Sequence, residues 1–159
     1  MRAAVLTVSD STAAGTREDT SGDVLAALLE ADGYEVERAV ATDDRDAIAA
    51  TLAELCGRAR LVLTTGGTGV APRDVTPEAT SDVVDRFAPG LAEAIRADSV
   101  AKTPHALLSR GVAGMRGSTL VVNLPGSTGG CRDGFAVVRP ALEHALRLLA
   151  DEATEHRQT

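Results

Sequence analysis

The sequence predicts an α/β fold in three layers, with helices on both faces of a mostly parallel sheet and an antiparallel hairpin at one edge. Three observations carry that expectation. Short apolar runs at 3–9 and 61–65 suit strands buried on both faces. Strand-like and helix-like segments alternate from end to end, the pattern that packs helices on either side of a parallel sheet. Residues 109–124 hold two strand candidates split by Arg116-Gly117-Ser118, which suits a hairpin.

The elements follow in order. Residues 3–9 form the first strand. A helix is expected over 20–32, with Val24, Leu25, Leu28 and Leu29 on one stripe and Gly33 just past its end. A second strand covers 34–40. From Asp46, the residues Ile48, Leu52, Leu55 and Cys56 make another helical stripe that Gly57 stops. After the third strand at 61–65, Thr76-Pro77-Glu78 has the form of a helix start, with Thr76 as cap and Pro77 as the first helical residue. Helices are expected at 77–86 and 90–100, then strands at 111–115 and 119–124. A last helix over 131–150 places Leu142, Ala145, Leu146 and Leu149 on one face.

Length and composition bound the function. The 159 residues suit one domain, placed over 1–150, with a polar tail at 151–159 expected to fray. The net charge of −7 and a single lysine, Lys102, leave no basic surface for a phosphate backbone. Aromatics make up 2%, so no ring platform exists for stacking bases, and nucleic acid is not an expected partner. Without a long apolar run or a signal-peptide core, neither a membrane span nor export is expected, which leaves the cytoplasm. Cys56 and Cys131 lie far apart, and His105, His144 and His156 lack ligand spacing; both sets read as ordinary structural residues.

In open α/β sheets, ligands bind at the carboxyl ends of the strands. Three loops there are rich in Gly, Ser and Thr. One includes Ser9, Asp10 and Ser11; one follows Thr65 as Gly66, Gly67, Thr68 and Gly69. The third runs through Pro125, Gly126 and Ser127 to Gly129 and Gly130. Glycine lets main-chain amides converge on an anion, and a helix start behind each loop adds unpaired N–H groups. Tight turns alone would also explain any one of them. Familiar nucleotide signatures are missing. No Gly-Lys pair exists for a P-loop, and Pro72 breaks the dinucleotide glycine pattern after Gly69.

Asp43 and Asp44 follow the second strand, and Asp74 follows Gly69 by five residues. A carboxylate facing a bound phosphate repels it unless a cation lies between, so paired aspartates near an anion-binding loop suggest Mg²⁺. A simple capping role is the alternative, and it suits Asp44 better than Asp74.

The stretch Thr64–Gly69, the run Pro72–Thr80, the turn Leu108-Ser109-Arg110 and the segment Asn123–Ser127 occur in this order. Together they resemble the molybdopterin adenylyltransferases, the Mog and MoaB proteins of bacteria, which are similar to the G domains of gephyrin and its plant counterpart. The resemblance spans nearly the whole chain. It implies a homotrimer that converts molybdopterin and ATP into adenylyl-molybdopterin and pyrophosphate with Mg²⁺, and a molybdenum insertase as a partner. It places the functional aspartates at Asp43 and Asp74. It also assigns ligand contact to Ser9, Asp10, Ser11, Thr65, Gly66, Gly67, Thr68, Gly69, Asn123, Pro125, Gly126, Ser127, Gly129 and Gly130. Two other readings remain: a non-catalytic molybdopterin-binding module, or a small nucleotide phosphatase.

Overall fold

The first strand, β1 (Arg2–Val8), is buried from Ala3 onward and sits inside the sheet, flanked on both sides by parallel partners. The computed structural model describes residues 1–155. After β1 come α1 (Asp10–Ala13), α2 (Thr20–Ala31), β2 (Glu35–Ala41), α3 (Arg45–Cys56) and β3 (Leu61–Thr65). Then follow α4 (Thr76–Val83), β4 (Arg86–Phe87), α5 (Pro89–Val100), a 3₁₀ turn (Pro104–Leu108), β5 (Ala113–Arg116), β6 (Thr119–Leu124) and α6 (Thr128–Glu155).

The sheet order is β2-β1-β3-β6-β5-β4. The pairs among β2, β1, β3 and β6 are parallel; β5 runs antiparallel to β6, and β4 antiparallel to β5. The expected edge hairpin is therefore present, with one more short strand outside it. Alternation along the strands separates two cores. Ala3, Val5, Leu61, Leu63 and Val122 pack with Leu25, Leu29, Ile95, Phe135 and Leu142 on one face. Ala4, Leu6, Val62 and Val121 pack with Ile48, Leu52, Leu55 and Val83 on the other. The period of two thus builds three layers.

Several boundaries differ from expectation for local reasons. Thr76 is not a cap: Val75 holds that place without a side-chain bond, and the Thr76 hydroxyl donates to the Gly66 carbonyl at 2.9 Å. α4 ends at Val83 because Val84 turns extended and the chain joins the sheet edge, where the Asp85 N–H donates to Met115 O at 2.7 Å. The last helix begins at Thr128, so Gly129 and Gly130 belong to its first turn rather than to a loop. It runs to Glu155, past the start of the expected tail, and residues 156–159 lie outside the described residues.

Candidate active site at the carboxyl edge of the sheet

The parallel register carries the ends of β1, β3 and β6 to one rim, and the three loops meet around Gly66. Gly66 has φ +97°, and a Cβ there would lie 2.4 Å from the Val8 carbonyl oxygen. Only glycine fits, because the obstacle is rigid backbone. Its N–H donates to Leu124 O at 3.3 Å, and a Cβ on Gly126 would lie 3.4 Å from its Cα. Gly67 has φ +67°, with the Thr76 hydroxyl filling the space a side chain would take.

The carboxylates gather at the same rim. The Asp10 N–H donates to Asp43 Oδ2 at 2.9 Å, and the Asp43 N–H to Asp10 Oδ1 at 3.0 Å. Arg73 adds a bond from Nε to Asp10 Oδ2 at 2.8 Å. The Asp43 amide bond, with Arg73 behind it, holds the Asp10 carboxyl below its ordinary value. Burial pushes the Asp43 carboxyl up, and repulsion from Asp10 and Asp74 adds to that against the pull of the Asp10 amide and Arg73. Asp43 and Asp74 therefore lie within electrostatic reach of each other. Asp74 curls under its own turn, its Oδ2 accepting the Ala71 N–H at 3.0 Å, and a Cβ on Gly69 would meet that oxygen at 2.9 Å. Asp44 caps α3 by accepting the Ala47 N–H at 2.9 Å.

Among the described residues no group of three His, Cys, Asp or Glu could hold a metal by itself. Two carboxylates suit the habit of Mg²⁺, which keeps several waters and takes its other oxygens from a phosphate ligand. The donor set fits that ion and not a cage built of protein alone.

Two hollows flank the rim. A small one of about 120 Å³ is bounded by Ser9, Thr12, Arg17, Asp19, Gly66 and Gly126. A larger one of about 420 Å³ lies between Thr68–Gly69, α5, the 3₁₀ turn and Ser127–Gly130, with aliphatic walls from Ile95, Ala106, Leu108 and Pro125. Lys102 stands at its margin, paired with Asp98 at 2.8 Å and Asp133 at 3.2 Å.

The expected ligand residues divide by depth. The Ser9 hydroxyl shares a 3.1 Å bond with Ser11 and accepts the Thr12 N–H at 3.2 Å; Ser127 accepts the Gly130 N–H at 3.0 Å. Thr65, Asn123 and Cys131 lie beneath the rim. Thr65 donates its hydroxyl to Pro125 O at 2.7 Å, and the Cys131 thiol donates to the same carbonyl at 3.2 Å. Asn123, assigned to ligand contact by resemblance, is 3% exposed. Its amide is committed to Thr64 and Thr80 at 3.0 Å each and to the Val112 N–H at 3.1 Å. It ties β3, α4 and β6 together from below.

Three residues went unassigned in the sequence. Arg73 pairs with Asp10; Asp19, accepting the buried Thr7 hydroxyl at 2.8 Å, borders the small hollow; Arg110 grips the second glycine loop. Arg110 stands within the Leu108–Arg110 motif, a position but no indication of a role. For Asp19 the signal was its place just before a helix.

Comparison with known proteins agrees with this fold. Residues 4–144 match the family model described as "Probable molybdopterin binding domain". The chain is 39% identical over 159 residues to the molybdenum cofactor synthesis protein cinnamon of Drosophila melanogaster, covering 98% of this chain but 26% of that protein. It is 38% identical over 150 residues to a molybdopterin adenylyltransferase of Helicobacter pylori, covering 91% of this chain and 85% of the relative. The crystal structure of the molybdopterin biosynthesis enzyme MoaB from Thermus thermophilus superposes with a TM-score of 0.87 at 46% identity, covering 93% of this chain and 95% of that one. With three-quarters or more of its length aligned to that model and those relatives, the chain belongs to the molybdopterin-binding family of molybdenum cofactor biosynthesis proteins.

Proposed function

We propose that this rim transfers the adenylyl group of ATP to the terminal phosphate of molybdopterin and releases pyrophosphate. The observation that carries the reading is the meeting of three strand-end loops, rich in main-chain amides, beside Asp43 and Asp74 in a chain of this family. Relatives named molybdopterin adenylyltransferase support it.

An oxygen of the molybdopterin phosphate attacks the α-phosphorus of ATP. The bond from that phosphorus to the bridging oxygen breaks, and pyrophosphate leaves with the electron pair. The nucleophile is already an anion, so positioning and charge neutralisation matter more than a strong base. Asp43 and Asp74 would hold Mg²⁺, which when bound neutralises charge on the triphosphate oxygens. Amides of Gly67, Thr68 and Gly69 seat the pterin phosphate, and Ser9 and Ser127 orient the two ligands. The aliphatic walls of the larger hollow suit the flat face of adenine, and His105 adds an imidazole ring to that lining.

A cytoplasmic location, a homotrimer and hand-over of product to a molybdenum insertase belong to the same proposal. Exposed Leu148, which lines an apolar hollow with Leu91 and Met115, supports an assembly face. Among the described residues no helix is long and apolar enough to cross a membrane. Relatives in which the matching stretch is only part of a longer chain support the hand-over.

The test mixes purified protein, molybdopterin and Mg-ATP and follows pyrophosphate. Release that needs molybdopterin supports the proposal. Ligand binding without pyrophosphate would mark a non-catalytic molybdopterin-binding module. Orthophosphate from ATP without molybdopterin would instead mark a nucleotide hydrolase.

A further inference from the structure

We infer that Arg110 is a positioning residue, a clamp that holds the Asp74 turn in register with the second glycine loop. The clamp is a matter of geometry; its consequence for turnover rests on the adenylyl-transfer reading above.

Arg110 lies between the 3₁₀ turn and β5, and four of its donors are committed to one stretch of chain. Its main-chain N–H donates to Thr68 O at 2.7 Å. Nε donates to Gly69 O at 2.7 Å, and one terminal nitrogen to Asp74 O at 2.6 Å. The other terminal nitrogen donates to Glu78 Oε1 in the first turn of α4. One planar group thus spans the end of the glycine loop, the residue bearing the key carboxylate and the helix behind it.

Residues 70–73 are exposed, and two of the turn's ties are local: Asp74 N–H to Ala71 O at 2.9 Å and Ala71 N–H to Asp74 Oδ2 at 3.0 Å. These fix the turn's shape. Its place against the rim rests on the exposed Arg73–Asp10 pair at 2.8 Å, on Thr76 bonded to the Gly66 and Gly67 carbonyls, and on Arg110, which takes hold of Gly69 and Asp74 together. A guanidinium suits this task because its donors sit in a rigid fork, whereas lysine offers one compact ammonium on a flexible stem. Glu78 depends on the same group, since its Oε2 is buried with no hydrogen-bond partner. The neighbours Leu108 and Ser109 line the larger hollow, so one residue links that wall to Asp74.

The test compares wild type with Arg110→Lys, which keeps a charge for Glu78 but cannot span three acceptors. A second variant, Arg110→Met with Glu78→Gln, removes the pair without stranding a charge. Amide exchange over residues 66–75 is expected to quicken about tenfold in both while β1 and β3 keep their protection. Turnover falls roughly ten- to hundredfold, the scale expected of an ångström-sized misplacement. Half-saturation by Mg²⁺ rises, while KM for molybdopterin stays within about twofold, a split that general destabilisation would not give. Unchanged exchange over 66–75 overturns the inference whatever the activity. Faster exchange with unchanged turnover and Mg²⁺ dependence overturns it as well. If wild type itself makes no pyrophosphate, the adenylyl-transfer reading has failed, and exchange alone decides for or against the clamp.

Discussion

Asp10 and Asp43 trade main-chain hydrogen bonds, each carboxylate accepting the other's N–H, at 2.9 and 3.0 Å. The exchange staples the loop after β2 to the loop after β1, and it draws two carboxylates into one another's field. Burial and the repulsion of Asp10 and Asp74 raise the Asp43 carboxyl above its ordinary value.

Asp43→Asn tests that arrangement. An acidic group raised on folding costs stability while ionised, and the cost disappears at low pH where both folded and unfolded chains are protonated. The amide keeps an acceptor for the Asp10 N–H. We therefore expect a stability at pH 7 equal to or above that of wild type, by no more than about 1 kcal/mol after solvent screening. Thermal melts at pH 7 and pH 3 check it: any gain shrinks toward zero at the lower pH, while turnover at pH 7 falls.

Asp74→Asn is expected to separate chemistry from binding. Loss of the carboxylate charge should lower turnover by about 10²-fold or more, in the range of removing a key electrostatic group. Molybdopterin affinity, measured by titration, stays within about threefold, since on the proposed reading the glycine-loop amides and not Asp74 seat the phosphate.

Two glycines of the rim should respond in opposite ways. Gly66→Ala forces a side chain against the Val8 carbonyl at a positive φ and should cost about 2–4 kcal/mol. Gly129 has open space around its Cβ position in the first turn of α6. Gly129→Ala should leave stability unchanged or raise it by up to about 1 kcal/mol. It should still raise KM for the nucleotide, because the open space belongs to the larger hollow. Calorimetry and steady-state kinetics on both variants decide.

Much of the fold was legible because periodicity reports burial. Ala3 to Val8 are buried on both faces, and the stripe Ile48, Leu52, Leu55 meets the sheet as its spacing requires. Phe87 gave no such signal: β4 is two exposed residues held by pairing to β5. Thr76 misled because its hydroxyl serves a tertiary contact with Gly66 instead of its own helix. The glycine loops and Asp43 were visible as composition at strand ends. Asn123 illustrates the limit, since a motif marks a position but not whether the side chain faces ligand or core. Arg110 acts through folds of the chain distant in sequence, which no local pattern reveals.

The thiols should be inert in the folded protein. Burial pushes Cys56 up to about 11, so at pH 8 only about one molecule in a thousand carries the reactive thiolate. Cys131 is fully buried and raised as well, chiefly by desolvation. Labelling with a disulfide reagent at pH 8 should be slow in the native state and complete for both residues after unfolding.

The product of the reaction tests the central claim most directly. Phosphorus NMR of molybdopterin after incubation with protein and Mg-ATP should show its phosphomonoester signal replaced by a phosphoanhydride, with free pyrophosphate in equal amount. A phosphomonoester that persists unchanged in the presence of folded, ligand-bound protein would contradict the account.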